Sequence, residues 1–242
     1  MNREDRLRGE VTPDNIVVPI FGVENEESLD AFLGTGTFVG NGDFLVTAHH
    51  VVRDWKKRFA ILIAEESWMY EAEIVLESPE TDLAILKVDG YRPEYALPLA
   101  KPDDFHFNIP IICLEHGTTR QQADRFYIDP STRLGNITRF RNLQDQFNLA
   151  GDQMLELSFP ALRGASGAAV MSWSPPFELF GIVIANTSYH LLPAQIESVL
   201  DESNQLYEEI KFMLPQALAV NVKHVADLLR KLSPPESSKP PI

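Results

Sequence analysis

Short apolar runs separated by turn-forming residues recur through the first 190 residues of the chain. Apolar runs bounded by Gly, Asn, Asp or Pro are typical of β-strands, and many such runs at close spacing favour a sandwich or barrel. This part of the chain is therefore predicted to be all-β. The predicted strands are 16–21, 35–39, 44–47, 59–64, 70–76, 83–88, 109–114, 135–141, 154–157, 168–173 and 179–185. Gly40 to Asp43 predicts a hairpin turn, because Gly, Asn and Asp tolerate positive φ.

The pattern changes after residue 190. Apolar residues between 194 and 211 fall near helical spacing with acidic residues mostly opposite, which predicts an amphipathic helix. A short strand over 217–220 and a second helix from Asn221 to Leu232 follow, with Asn221 as a candidate cap. The last segment, 233–242, is rich in proline and is expected to be a linker or a disordered tail.

Composition narrows the partners and the compartment. The formal net charge of −14 would repel a phosphate backbone or an anionic membrane surface, so neither nucleic acid nor membrane is an expected partner. Cys113 is the single cysteine and lies in an apolar run, so it is expected to be a buried thiol. The N-terminal segment 1–10 is charged and shows neither a secretory signal nor an apolar anchor, so a cytoplasmic location is expected.

Three separated segments carry the residue types that amide hydrolysis by serine requires: a hydroxyl, an imidazole, an orienting carboxylate and backbone donors for an oxyanion. His50 follows the apolar segment 45–48, and Asp82 directly precedes a run that predicts a buried strand. Ser166 lies between Gly164 and Gly167, where glycine permits a tight turn that aims the N–H groups of Gly164 and Ser166 at one point. Each motif alone is common, but the order His, Asp, Ser with each motif beside a predicted strand is much more specific.

These motifs resemble those of the trypsin-like, chymotrypsin-fold serine peptidases, in particular the HtrA-like bacterial branch. The segments that carry the resemblance are 36–39, 47–51, 81–86, 164–167, 181–187 and 218–222. The resemblance covers about 11–232 and implies two six-stranded antiparallel β-barrels, roughly 11–100 and 101–232, with the helix near 194–211 inserted and a C-terminal helix. It implies His50, Asp82 and Ser166 as the catalytic triad, and neither a metal nor an organic cofactor.

The chain departs from the family pattern at three positions near these motifs. Ala168 stands in place of a second glycine after Ser166, and Ala165 in place of an acid that pairs with a newly cut N-terminus in zymogen-activated members. Activation by N-terminal clipping is therefore not implied. Ile184 stands where digestive members carry a serine that holds the catalytic Asp, so Asp82 is expected to use backbone donors near Ala48 and His49.

The family register implies a primary substrate pocket with Pro160 near its base and Ala185 and Asn186 on its wall. Because no carboxylate lies there, we expect cleavage of proteins or peptides after small or medium apolar residues.

A second hypothesis is a latent or inactive protease-like binding module that serves, or is activated by, a protein partner. The segment 194–211 is expected to cover the C-terminal barrel, and its role as a lid or a docking surface for a regulatory partner is left open.

Overall fold

The computed structural model describes residues 15–24, 29–64, 66, 68–101, 104, 106–123, 125–141, 154–190, 195–201, 204–210 and 213–232. For residue 190 and for 195–210 only the backbone is described. The predicted charged segment 1–10 and the Pro-rich segment 233–242 lie outside the described residues.

The described residues form sixteen strands and two helices. The strands of the N-terminal half are β1 (Val17–Val23), β2 (Ala31–Val39), β3 (Phe44–Ala48), β4 (Arg58–Ile63), β5 (Trp68–Ser78) and β6 (Leu83–Val88). Those of the C-terminal half are β7 (Pro110–Glu115), β8 (Arg120–Gln122), β9 (Arg125–Tyr127), β10 (Ser131–Arg141), β11 (Met154–Leu157), β12 (Ala169–Ser172), β13 (Leu179–His190), β14 (Gln195–Asp201), β15 (Asn204–Ile210) and β16 (Met213–Asn221). The helices are α1 (His49–Val52) and α2 (Val222–Leu232).

Twelve of the strands close into two antiparallel barrels of six. The first has the order β1-β2-β3-β6-β5-β4 and the second the order β10-β11-β16-β13-β12-β7. Closure gives each barrel strand a paired neighbour on both sides over part of its length, and the apolar side chains that point inward form the core. The largest fully buried side chains include Phe38, Leu45 and Ile85 in the first barrel and Ile111 and Ile137 in the second. The predicted two-barrel, mostly-β fold is confirmed.

Two local predictions about chain reversals and helix starts are also confirmed. The β2–β3 hairpin turns at Gly40 and Gly42, whose φ angles are 63° and 84°. The side chain of Asn221 accepts a hydrogen bond at 2.9 Å from the N–H of Lys223, as an N-terminal cap does. Helix α2 then packs against β13 and β16 of the second barrel and also against β5 and β6 of the first, so it spans both.

The helix predicted over 194–211 is wrong. Strands β14 and β15 pair antiparallel from Gln195 with Ile210 to Asp201 with Asn204. The apolar residues that fit helical spacing include β-branched and aromatic types such as Val199 and Tyr207, which favour strands. Asp201 and Asn204, the last pair of the hairpin, are turn-forming residue types that favour a chain reversal over a continuous helix.

Within the described residues, none of the helices is of the length and apolarity that crossing a membrane requires. A search of the same residues finds no group of three or more His, Cys, Asp or Glu side chains placed to hold a metal ion.

Candidate active site

The pairing of β3 with β6 brings His50 and Asp82 together. Ala48 at the end of β3 lies opposite Leu83 at the start of β6, so the residues just beyond both strand ends are neighbours. His49 and His50 are not on a strand, where alternation would separate their side chains, but on the single turn α1. The imidazole of His49 contacts Glu77 on β5 at 3.4 Å, which leaves His50 as the histidine that faces the site.

Asp82 holds the ring of His50 with one carboxylate oxygen and its backbone with the other. Oδ2 lies 2.7 Å from His50 Nδ1, and Oδ1 accepts the N–H of His50 at 2.9 Å. Asp82 has φ of 52°, a left-handed conformation that Asp adopts more readily than most residues. The sequence led us to expect backbone donors to the Asp82 carboxylate near Ala48 and His49. The donor to this carboxylate is the N–H of His50, whereas the N–H of His49 donates to the main-chain oxygen of Asp82.

Ser166 reaches the same imidazole from the second barrel. Its Oγ lies 2.8 Å from His50 Nε2 and 3.4 Å from the carbonyl oxygen of Ile184. Ser166, His50 and Asp82 therefore form one continuous hydrogen-bonded line whose members come from two barrels. Each side chain is partly buried. The exposed fraction is 33% for His50 and 17% for Asp82, so the line is shielded but His50 remains accessible to a bound molecule.

A family model described as trypsin-like peptidase domain matches residues 34–182, which is more than half of the chain and includes all three residues. The chain belongs to the trypsin-like peptidase family. The family predicted from the sequence is therefore confirmed.

This trypsin-like peptidase is similar to two curated Chlamydia proteins over short stretches. It is 38% identical over 69 residues to a probable periplasmic serine endoprotease DegP-like of Chlamydia trachomatis and 41% identical over 61 residues to the Chlamydia muridarum protein. These alignments cover 28% and 25% of this chain but only 14% and 12% of the relatives, so the match spans a small part of their length.

Solved structures of the same fold cover almost the whole chain. The HtrA-type protease AlgW with a decapeptide superposes with a TM-score of 0.62 at 16% identity, over 90% of this chain and 64% of that one. The MamO protease domain from Magnetospirillum magneticum superposes with a TM-score of 0.57 at 14% identity, over 90% of this chain and 97% of that one. At these identities the likeness concerns the fold.

Two threonines of β2 hold the serine turn of this peptidase. The hydroxyl of Thr35 donates to the carbonyl oxygen of Gly164 at 2.7 Å, and that of Thr37 to Gly167 at 3.0 Å. The N–H of Thr35 donates to the carbonyl oxygen of Ser166 at 2.9 Å. These bonds cross from the first barrel to the second, so they fix the serine relative to the histidine. These bonds were not predicted from the sequence, although polar residues at alternate positions of an apolar strand are a signal for buried hydrogen bonds.

Glycine is required at two positions of the turn. Gly164 has φ of 95° and Gly167 of 92°, in the region that residues with a side chain rarely adopt. A Cβ atom on Gly167 would lie 1.7 Å from the carbonyl oxygen of Thr35, so the turn and β2 touch backbone to backbone. Within the described residues, no recorded backbone hydrogen bond uses the N–H of Gly164 or Ser166 as donor.

The three residues expected at the substrate pocket lie around one contact between β13 and the segment that leads into the turn. Asn186 is exposed and Pro160 and Ala185 are half-buried. The side-chain amide of Asn186 donates to the carbonyl oxygen of Ala161 at 2.9 Å and accepts its N–H at 2.8 Å. The sequence placed Asn186 on a pocket wall but did not indicate this bridge to Ala161, the neighbour of Pro160.

Two surface cavities, of about 550 and 420 Å³, lie against β4 and β5 on the first barrel. Their lining residues include none of His50, Asp82 and Ser166. Since they lack the paired nucleophile and base, the chemistry is at the contact of the two barrels.

Proposed function

We propose that the chain is a serine endopeptidase in which Ser166 is the nucleophile, His50 the general base and Asp82 the residue that orients His50. The observation that carries this proposal is the unbroken line Ser166 Oγ to His50 Nε2 at 2.8 Å and His50 Nδ1 to Asp82 Oδ2 at 2.7 Å. A serine hydroxyl is a weak nucleophile until an adjacent base accepts its proton, and this geometry supplies that base.

The reaction follows from these contacts. His50 Nε2 takes the proton of Ser166 while Oγ attacks the scissile carbonyl carbon, and Asp82 stabilises the resulting imidazolium. The imidazolium then gives its proton to the departing amine, the C–N bond breaks, and an acyl-enzyme ester remains on Ser166. His50 then takes a proton from water as the water oxygen attacks the ester carbon. The ester C–O bond breaks, His50 returns the proton to Ser166 Oγ, and the acid product leaves.

The oxyanion that forms on the carbonyl oxygen needs fixed donors in a site with little water. We assign this role to the N–H groups of Gly164 and Ser166. Support comes from the turn that carries them, which is fixed by the glycine conformations at 164 and 167 and by the hydrogen bonds from Thr35 and Thr37.

The substrate in this proposal is a protein or peptide in extended conformation. Among the described residues, β13 pairs with β16 as far as His190, whereas its other neighbour, β12, pairs only with residues up to Ile182. In the part of the chain that the structure describes, no further strand pairs with this second edge beyond the Val183 hydrogen bonds to Gly167 and Ala168, so it is an open edge beside Ser166. A substrate peptide could pair with this edge of β13 as an added strand of the sheet. The related AlgW structures hold a tripeptide or a decapeptide.

For the residue before the scissile bond, called P1, we propose small or medium apolar side chains. The bridge between Asn186 and Ala161 lies across the place where the family register puts the pocket. It narrows the space for a side chain, and none of the three pocket residues carries a charge to pair with Lys or Arg.

The experiment is labelling with a fluorophosphonate, which reacts covalently with an activated serine. We expect the wild-type chain to gain one label on Ser166, located by mass spectrometry of the peptide, and Ser166→Ala and His50→Ala to gain none. Ser172→Ala, which changes a serine outside the site, is the matched control and should label like the wild type. A folded wild-type chain that stays unlabelled would contradict the proposal and favour the protease-like binding module.

A further inference from the structure

Five residues beyond the active site form a polar cluster on the second barrel, the arginine cluster: Arg139, Arg141, Glu156, Thr187 and Tyr189. Glu156 is completely buried, and its Oε1 lies 3.1 Å from Nε of Arg139. Its Oε2 lies 3.4 Å from Nη1 of Arg141 and accepts the hydroxyl of Tyr189. Nη1 of Arg141 also donates to Thr187 Oγ1 at 3.1 Å and to Tyr189 Oη at 3.2 Å.

Within the described residues the cluster carries two guanidinium groups against one carboxylate, a surplus of one positive charge. The chain as a whole has a net charge of −14, so this local sign is opposite to the average. Arg139 is 55% exposed, which makes its guanidinium accessible from solvent. Both guanidinium groups also lie over the ring of Tyr189, at 5.3 and 6.0 Å from its centre. The ring of Tyr189 and the buried carboxylate of Glu156 hold the two guanidinium groups in place. This reduces the conformational entropy that they would lose on binding an anion.

The cluster lies along the strand that leads away from the active site. Ile184, whose carbonyl oxygen is 3.4 Å from Ser166 Oγ, marks the active-site end of the open edge of β13. Thr187 and Tyr189 are three and five residues further along β13. At about 3.3 Å per strand residue they are about 10 and 17 Å from that point.

The register of an added peptide follows from this spacing. β13 pairs antiparallel with both of its neighbours, and an antiparallel peptide on the open edge would run opposite to it. With the P1 residue opposite Ile184, the fourth residue upstream (P4) lies opposite Thr187 and the sixth (P6) opposite Tyr189. Residues directly opposite each other in a sheet share a face, so P4 and P6 side chains are on the face of the arginine cluster. The P5 side chain is on the other face.

We infer that the arginine cluster binds an acidic side chain of the substrate at P4 or P6, so that the enzyme selects segments with Asp or Glu upstream of the cleaved bond. The inference rests on the proposed function, because the register starts from Ser166 as the nucleophile. Carboxylates form strong, directed hydrogen bonds with guanidinium groups, which makes an acidic residue the chemical class that fits.

The test measures peptide binding without catalysis. Fluorescent decapeptides with Ala at P1 carry one Glu at P4, P5 or P6 or one Gln at the same place, and their Kd for the Ser166→Ala chain is measured by anisotropy. We expect Glu at P4 or P6 to bind about fivefold more tightly than Gln, the effect of a partly exposed charge pair, and Glu at P5 to differ by less than about twofold. In 0.5 M salt the preference should shrink, because screening weakens exposed pairs.

Variants assign the effect to the cluster. Arg139→Gln, which leaves Arg141 to pair with Glu156, should remove most of the preference for Glu over Gln. Arg120→Gln, on the exposed β8–β9 hairpin, makes the same charge change elsewhere in the C-terminal half of the chain. This control variant should keep the preference for Glu over Gln. The comparison between peptides on the Ser166→Ala chain does not depend on whether a variant folds.

The two proposals fail in different ways. Equal Kd values for Glu and Gln at both P4 and P6, while the wild type cleaves these peptides after Ala, would overturn the acidic preference and leave the peptidase standing. Selective binding of the Glu peptides by a chain whose wild type never cleaves them would overturn the peptidase and leave the acidic site standing.

Discussion

Asp82 fixes His50 through two bonds that do different things. Its Oδ2 accepts from the ring at 2.7 Å, which sets the tautomer with the proton on Nδ1, and its Oδ1 accepts the N–H of His50 at 2.9 Å, which sets the position of the residue. Both carboxylate oxygens of Asp82 act as acceptors. An amide in place of the carboxylate would therefore set its NH₂ group against one of the two N–H donors of His50. The carboxylate, rather than a side chain of its shape, is therefore what the site requires.

Asp82→Asn is predicted to keep the fold and lose the chemistry. Because the amide NH₂ would face one of the two donors, the ring would take the wrong tautomer, and kcat should fall by about 10³- to 10⁴-fold. The rate of fluorophosphonate labelling measures the loss. Asp89→Asn, the same change on an exposed residue at the other end of β6, should label at the wild-type rate. Equal rates for the two variants would contradict the role given to Asp82.

Asn186→Gly is predicted to broaden cleavage at P1. Removing the side-chain amide of Asn186 removes both of its hydrogen bonds to Ala161. This should enlarge the proposed pocket for the P1 side chain. The ratio of kcat/KM for Phe over Ala at P1, measured on peptides that differ only there, should rise by about tenfold. Ser188→Gly, at an exposed position two residues along β13, is the control and should leave the ratio unchanged. An unchanged ratio in Asn186→Gly would show that the bridge does not limit the pocket.

Cys113 is predicted to be unreactive in the folded chain. It is buried between β10 and β12, and burial raises the pKa of its thiol well above the usual range, with a further contribution from nearby Glu115. Because the raised pKa keeps the thiol protonated and a thiolate is the reactive form, iodoacetamide at pH 8 should modify Cys113 only after denaturation. Rapid modification of the native chain, followed by mass spectrometry, would contradict this burial.

At the scale of elements, β2 does more than complete its barrel. Thr35 and Thr37 hold three carbonyl oxygens of the serine turn, those of Gly164, Ser166 and Gly167, through two hydroxyls and one backbone N–H. Because these bonds cross between barrels, β2 sets the distance from Ser166 to His50.

Thr35→Val is predicted to lower activity more than stability. Valine has the shape of threonine but removes the hydrogen bond from the Thr35 hydroxyl to the carbonyl oxygen of Gly164, and also the one that this hydroxyl accepts from the N–H of His116. The cost is about 1–3 kcal/mol. We expect kcat to fall by about tenfold while the melting temperature drops by only a few degrees. Thr132→Val, at an exposed position of β10, should change neither. Wild-type kcat in Thr35→Val would show that the turn holds its shape without this bond.

The elements that the sequence predicted well are those with a strong local pattern. Strands such as β3 and β6 are nearly uniform apolar runs. The turn at 40–43 has residues that tolerate positive φ, and Asn221 has a side chain that can accept a hydrogen bond at a helix start. The hairpin of β14 and β15 was misread because its apolar spacing suits helix and strand alike. The bonds of Thr35 to Gly164 and of Asn186 to Ala161 join residues far apart in the chain. The alternating threonines of β2 signal that buried hydrogen bonds form, but no local pattern identifies the partners.

At the scale of the whole molecule, the site exists only where the barrels meet. The first barrel supplies His50 and Asp82, and the second supplies Ser166. Helix α2 and the bonds from β2 hold the barrels together, so active-site geometry depends on both being folded. The cytoplasmic location and the regulatory partner expected from the sequence stay predictions.

The central claim is that Ser166 cleaves peptide bonds with the help of His50. The most direct measurement is hydrolysis of casein, an unfolded protein substrate, by the purified wild-type chain and by Ser166→Ala, with all fragments mapped by mass spectrometry. We expect fragments from the wild type that end in small or medium apolar residues, and none from Ser166→Ala. Fragments that persist in Ser166→Ala, or an intact substrate with both folded proteins, would contradict it.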